Sequence, residues 1–148
     1  MDVNRECELV IYQDQYTITL NKENGFAHVF AWGELTKSTG EAIITQARTE
    51  AAKHHYNIFC DARQMTIKAG LADWFFLPRK LDVYKNRKTR YIKTAILIDP
   101  GNQARTYRFF EMVTQNLGLN IRIFLEESSA LAWLSKMKKK ERQKKGEA

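Results

Sequence analysis

Three short apolar runs, "YNIFCD" at 56–61, "YIKTAILID" at 91–99 and "LNIRIFL" at 119–125, are separated from one another by segments with helical periodicity. The first run lacks the polar alternation of a strand with one wet face, and the second is another near-continuous apolar run. Both suit strands covered on both sides. Buried strands that alternate with helices leave few architectures open, and the favoured one is a layer of parallel strands joined by right-handed crossovers. The third run alternates, with Leu119, Ile121, Ile123 and Leu125 expected inward.

The chain before these runs reads differently. "ELVIYQ" is apolar, "YTITL" sets Tyr16, Ile18 and Leu20 against Thr17 and Thr19, and Asn24-Gly25 offers the positive φ of a hairpin turn. "FAHVFAW" continues with Phe26, His28, Phe30 and Trp32 on one face and Ala27, Val29 and Ala31 on the other. Three antiparallel strands in a meander are expected. Thr36 or Ser38 can cap a first helix whose apolar stripe is Ile43, Ile44, Ala47 and Ala51, ending near His54-His55. A second helix carries Leu71, Trp74 and Phe75, with Pro78 expected to kink or restart it. A third places Ala104, Tyr107, Phe110, Thr114 and Leu117 on one face, with Gly118 as its terminating residue. A fourth begins near Ser128, has Glu126 and Glu127 at its positive end, and buries Ala130, Leu131, Leu134 and Met137. The expected fold is α/β: N-terminal antiparallel strands, then alternating helices and parallel strands, in a mixed sheet covered by about four helices. One domain over 1–137 and a basic, disordered tail over 138–148 complete the expectation.

The chain has 148 residues, 44% of them apolar and 11% aromatic, enough for a substantial core. Cys7 and Cys60 are too few for a disulfide framework, and no run approaches the roughly 20 residues that cross a bilayer. A bacterial cytoplasmic protein is expected. Net charge is +7; residues 79–93 hold seven Lys or Arg and one Asp, and residues 136–148 hold seven Lys or Arg and two Glu, so the remainder carries −4. A basic belt and a basic tail on a slightly acidic body can meet an anionic lipid or membrane surface or an acidic protein. Nucleic acid is not expected, because no recognition signature accompanies the belt.

Motifs for chemistry are sparse. No GxGxxG, GxxxxGK[ST] or GxSxG occurs, which argues against nucleotide hydrolysis and a nucleophile elbow. His54 and His55 are adjacent and point about 100° apart on a helix, a poor geometry for one metal ion. They read as an exposed helix end. Asp61 and Asp99, at the ends of neighbouring parallel strands, are the one carboxylate pair placed for acid–base work. Each also reads as ordinary turn chemistry.

A strand ending in "CDARQMT", the loop "IKAGL" opening a helix, the strand "TAILID" and "IRIFLEESSALAWL" as strand plus final helix together resemble STAS domains, in particular their SpoIIAA-like branch. The resemblance covers roughly 26–134. It implies the anti-sigma-factor-antagonist fold and a regulatory interaction module that is no enzyme and has no cofactor. Signalling members carry Asp-Ser-Ser-Gly-Leu in the switch loop; here Gly70-Leu71 match, but Lys68-Ala69 stand where the phosphorylated Ser belongs. Thr66 is the nearest hydroxyl. Two functions follow as expectations. In the first, Met65, Thr66, Lys68, Ala69, Gly70, Leu71 and Phe76 form a surface for a protein partner, with a homodimer also open. In the second, a lipid or other apolar or anionic ligand enters a pocket near Trp74, Phe75 and Phe76, with Arg79, Lys80 and Arg87 beside an acidic headgroup.

Overall fold

The computed structural model describes residues 7–101 and 103–135. Strands β1 (Cys7–Tyr12), β2 (Tyr16–Asn21), β3 (Phe26–Leu35), β4 (Asn57–Ile67), β5 (Thr94–Leu97) and β6 (Ile121–Phe124) form one sheet whose spatial order is the chain order. β1, β2 and β3 pair antiparallel, and β3 through β6 pair parallel. This is the mixed sheet expected from the run pattern. Helices α1 (Lys37–His54), α2 (Leu71–Lys80), the single-turn α3 (Arg87–Arg90) and α4 (Ala104–Asn116) connect the parallel strands. A last helix, α5, spans 127–135 of the described residues.

Crossovers that all step in one direction place their helices on one face when they share the right-handed sense. A single core accordingly joins Ile18, Val29 and Ile58 of the sheet to Ile43 and Ala47 of α1, Trp74 and Leu77 of α2, and Phe110 of α4. α5 takes the opposite face, where Ala130 and Leu134 pack on Phe59, Ala95 and Leu97. The buried runs in β4 and β5 thus have apolar neighbours on both sides.

Local chemistry sets the helix ends. Thr36 is the N-cap of α1, its hydroxyl accepting from the Thr39 N–H at 3.2 Å, and His55 ends the helix in the left-handed region with φ 58°. His54 and His55 are exposed there, as expected. At α4, Gly118 (φ 81°) donates to Gln115 and Leu119 donates to Thr114. These two bonds close a Schellman motif.

Four expectations need correction. β4 continues to Ile67, beyond the apolar run "YNIFCD" and through the "CDARQMT" in which the resemblance ends this strand, because β3 also runs on and pairs with it from Trp32↔Gln64 to Leu35↔Ile67. Two steps along β3, from Phe30 to Trp32, answer three along β4, from Asp61 to Gln64, and this bulge hid the strand's alternation. α2 runs through Pro78 and ends two residues later at Lys80, since only the last turn must do without the missing N–H. Leu125 is 45% exposed, because β6 ends at Phe124. Lys93 of the basic belt is only 4% exposed, lying where the chain turns into β5. Met137 and the tail at 138–148 lie outside the described residues. No described helix is long and apolar enough to cross a membrane.

Candidate functional site

A cavity of about 80 Å³ lies under the N-terminal halves of α1 and α4, beside α2, at the carboxyl ends of β3, β4 and β5. Open α/β sheets place ligand crevices at this end. Its floor is Cys60, Ala62, Met65 and Ile67 of β4. The bulge after Asp61 produces that floor: strict alternation would send Met65 and Ile67 to the face of Asp61, and the extra residue turns them back to the side of Ala62.

The walls are Gly40, Ile43 and Ile44 of α1, Trp74 of α2, and Tyr107 and Phe110 of α4. Trp74 stands edge-on to Phe110 with ring centroids 5.9 Å apart. Gly40 lets the indole approach, since a Cβ there would meet two of its ring carbons at 3.2 Å. The Gln103 side-chain carbonyl accepts from the Ile67 N–H and ties the end of β4 to the start of α4.

The surface of this space is apolar, and the residues around it carry few polar groups. Among the described residues, the Trp74 indole nitrogen and the Tyr107 hydroxyl are buried without a hydrogen-bond partner, in residues 5% and 8% exposed. Burial raises the Tyr107 phenol above its ordinary range, so it stays protonated. Burial also pushes the Cys60 thiol up to about 12, aided by Asp61, which makes it a poor nucleophile at neutral pH.

A second, smaller cavity of about 60 Å³ adjoins the first and shares Ile43, Ile44, Cys60, Ile96 and Phe110 with it. Its far wall carries Arg48 and Tyr84. Arg48 was missed from the sequence, although its spacing was readable: it lies four residues after Ile44 and three before Ala51, on the buried stripe of α1.

The structure divides the predicted site residues. Met65 and Trp74 face inward, so Met65 cannot belong to a surface for a partner. Thr66, Lys68, Gly70 and Leu71 are exposed and Ala69 is half-buried. Thr66 lies on β4, opposite Glu34, and not in a loop. Phe75 and Phe76 lie outside the cavity, edge-on to each other at 5.1 Å. Arg79 covers the Phe75 ring at 3.8 Å and donates to the Phe75 carbonyl, Lys80 pairs with Glu41 at 3.7 Å, and Arg87 is exposed on α3. None of these three cations lines the apolar cavity.

Asp61 is on the other face of the sheet. Arg63 grips it with two hydrogen bonds of 3.0 and 2.8 Å, which hold its carboxyl below the usual carboxylate range. Glu127 lies 4.0 Å from the same guanidinium, which also feels Asp99. Among the described residues no cluster of three or more His, Cys, Asp or Glu could hold a metal ion.

No protein-family model matches the chain, and no curated protein matches it. A solved structure that is similar to it is that of an uncharacterized protein of the DUF3478 family with a SpoIIAA-like fold from Shewanella loihica PV-4. Identity is 16%, the TM-score is 0.46, and the match covers 86% of this chain and 91% of that one.

Proposed function

We propose that this chain is a non-catalytic binding module that takes up a small apolar molecule bearing a hydrogen-bond-accepting atom. The observation that supports this reading is the joint presence of an apolar cavity and, on two of the residues that line it, buried donors, Trp74 Nε1 and the Tyr107 hydroxyl, without partners among the described residues. Native interiors leave few such groups unpaired, and each costs about 1–3 kcal/mol. A ligand oxygen would supply the missing acceptor, and the apolar walls would take the rest.

Titration with 1-hexanol, followed by the Trp74 indole N–H resonance in a nitrogen-15 spectrum, tests the reading. A saturable shift is expected in the native chain, with its loss in Ala62→Leu, whose added carbons fill the floor. A folded native protein whose Trp74 resonance does not saturate would overturn the proposal.

A second reading, a protein-interaction module, is favoured by the outer face of α2, where Leu71 is 52% and Phe76 57% exposed. Scattered exposed apolar residues are common on soluble proteins, so this support is weaker than that of the cavity. If it holds, Phe76→Glu should abolish capture of a partner that the native chain retains. Equal capture by both would remove it.

A further inference from the structure

Arg48 is 2% exposed and belongs to the largest fully buried side chains of the protein. Its guanidinium donates to the Thr94 hydroxyl at 3.1 Å and to the carbonyls of Thr89 and Ile92 at 2.7 and 3.3 Å, and it lies 4.6 Å from the centre of the Tyr84 ring. Every one of these partners is neutral: burial pushes the Tyr84 phenol up to about 12. Among the described residues Arg48 forms no ion pair, and its Nε–H has no hydrogen-bond partner at all. A guanidinium does not escape burial by losing its proton, so it retains a full charge that needs an anion.

Arg48 lines the smaller cavity, which adjoins the apolar one. Together the two spaces approach the roughly 150 Å³ that admits a molecule the size of benzene. At one end the lining thus includes a residue with a buried positive charge and a donor that has no acceptor among the described residues, and the rest of the lining is mostly apolar. Resting on the ligand-binding reading above, we infer that the ligand is a short monocarboxylate of about six to nine heavy atoms, its carboxylate accepting from Arg48 Nε and its apolar body extending toward Trp74. The charged end is therefore set by α1, and not by Arg79, Lys80 or Arg87.

Sodium hexanoate and 1-hexanol, matched in length, separate the charge from the chain. Hexanoate is expected to bind the native protein at least tenfold more tightly, and to move the Arg48 Nε–H resonance downfield where hexanol leaves it in place. Arg48→Lys removes that resonance and assigns it. Arg48→Met is expected to reverse the preference, hexanol then binding more tightly than hexanoate. Should that variant fail to fold, the two-probe comparison and the Nε–H shift on the native chain still decide. Hexanol bound as tightly as hexanoate, an unmoved Nε–H, or an equal shift from sodium chloride at the same concentration would overturn the carboxylate and leave the apolar-ligand reading standing. A folded native protein that binds neither probe would remove both.

Discussion

Trp74 shows how one side chain carries both packing and an unmet polar demand. Its ring is buried against Phe110 and the α1 backbone near Gly40, while its N–H has no acceptor among the described residues. Removing the ring should cost about 3–5 kcal/mol, as for other buried aromatics. Trp74→Phe keeps one ring and deletes the unpaired donor together with the rest of the bicycle, so it should cost clearly less than Trp74→Ala, the desolvation cost of the nitrogen offsetting part of the lost volume. Urea denaturation of Trp74→Ala and Trp74→Phe compares them. Equal losses would mean that the indole N–H is paired. Trp74 was legible as a pocket residue from its place in an aromatic cluster on an amphipathic stretch. Its neighbours Phe75 and Phe76 were not separable from it, since three consecutive helical residues point in three directions and only the packing of α2 decides which one is buried. Arg48 is easily passed over, because its residue type suggests the surface while its helical spacing suggests the core.

At the scale of elements, terminators were easy to read and irregularities were not. Gly118 was expected to end α4 from its position after Leu117, and it does so with φ 81°. A Cβ at Gly118 would also approach Arg90 Nη2 to 2.9 Å, and that same nitrogen donates to the Leu117 carbonyl at 2.9 Å. Gly118→Ala should therefore lower stability by at least the roughly 1–2 kcal/mol that the left-handed conformation costs a residue with a side chain. Thermal unfolding measures it, and an unchanged midpoint would show that the turn relaxes. The bulge of β4 had no such marker. It places Arg, Gln and Met where alternation would have different faces, so periodicity does not mark "ARQMT" as strand; the resemblance did, and the pairing with β3 bears it out. The outer edge of β6 is similar: Glu111 accepts from the Ile123 N–H at 2.6 Å and Gln115 donates to the Ile121 carbonyl at 3.4 Å. Two side chains of α4 occupy an edge that would otherwise invite another strand.

Across the molecule, the two faces of the sheet respond differently to acid. His28 and Asp61 both lie on the face that α5 covers, His28 edge-on to Phe59 at 5.1 Å. Burial lowers the His28 imidazole below its ordinary value of 6.5, against the opposing pull of Asp61 and Glu127, and Arg63 lowers Asp61 below 3.8. The unfolded chain takes up a proton at each site sooner than the folded chain does. Stability is therefore complete above pH 6.5 for His28, and falls as the pH drops below that value; Asp61 adds its loss below pH 3.8. Denaturant titrations at pH 7 and pH 5 should show the decline, and His28→Phe should flatten it. An unchanged slope in that variant would assign the acid sensitivity elsewhere. The cavity face has no carboxylate in its lining, so uptake of an uncharged probe should not follow the same profile.

The chain-order sheet has a consequence for how the molecule is made. Each strand from β2 onward hydrogen-bonds to the one synthesised just before it, so no strand must wait for a distant downstream segment before it finds its neighbour. Synthesis at roughly 5–20 residues per second is slow beside the microseconds of hairpin formation. The β1–β3 meander can form on the ribosome, and β4, β5 and β6 can be added in turn as each crossover helix emerges. α5, which covers the second face, is the last of the described elements to be made; until it emerges, Phe59, Ala95 and Leu97 are without the helix that covers them.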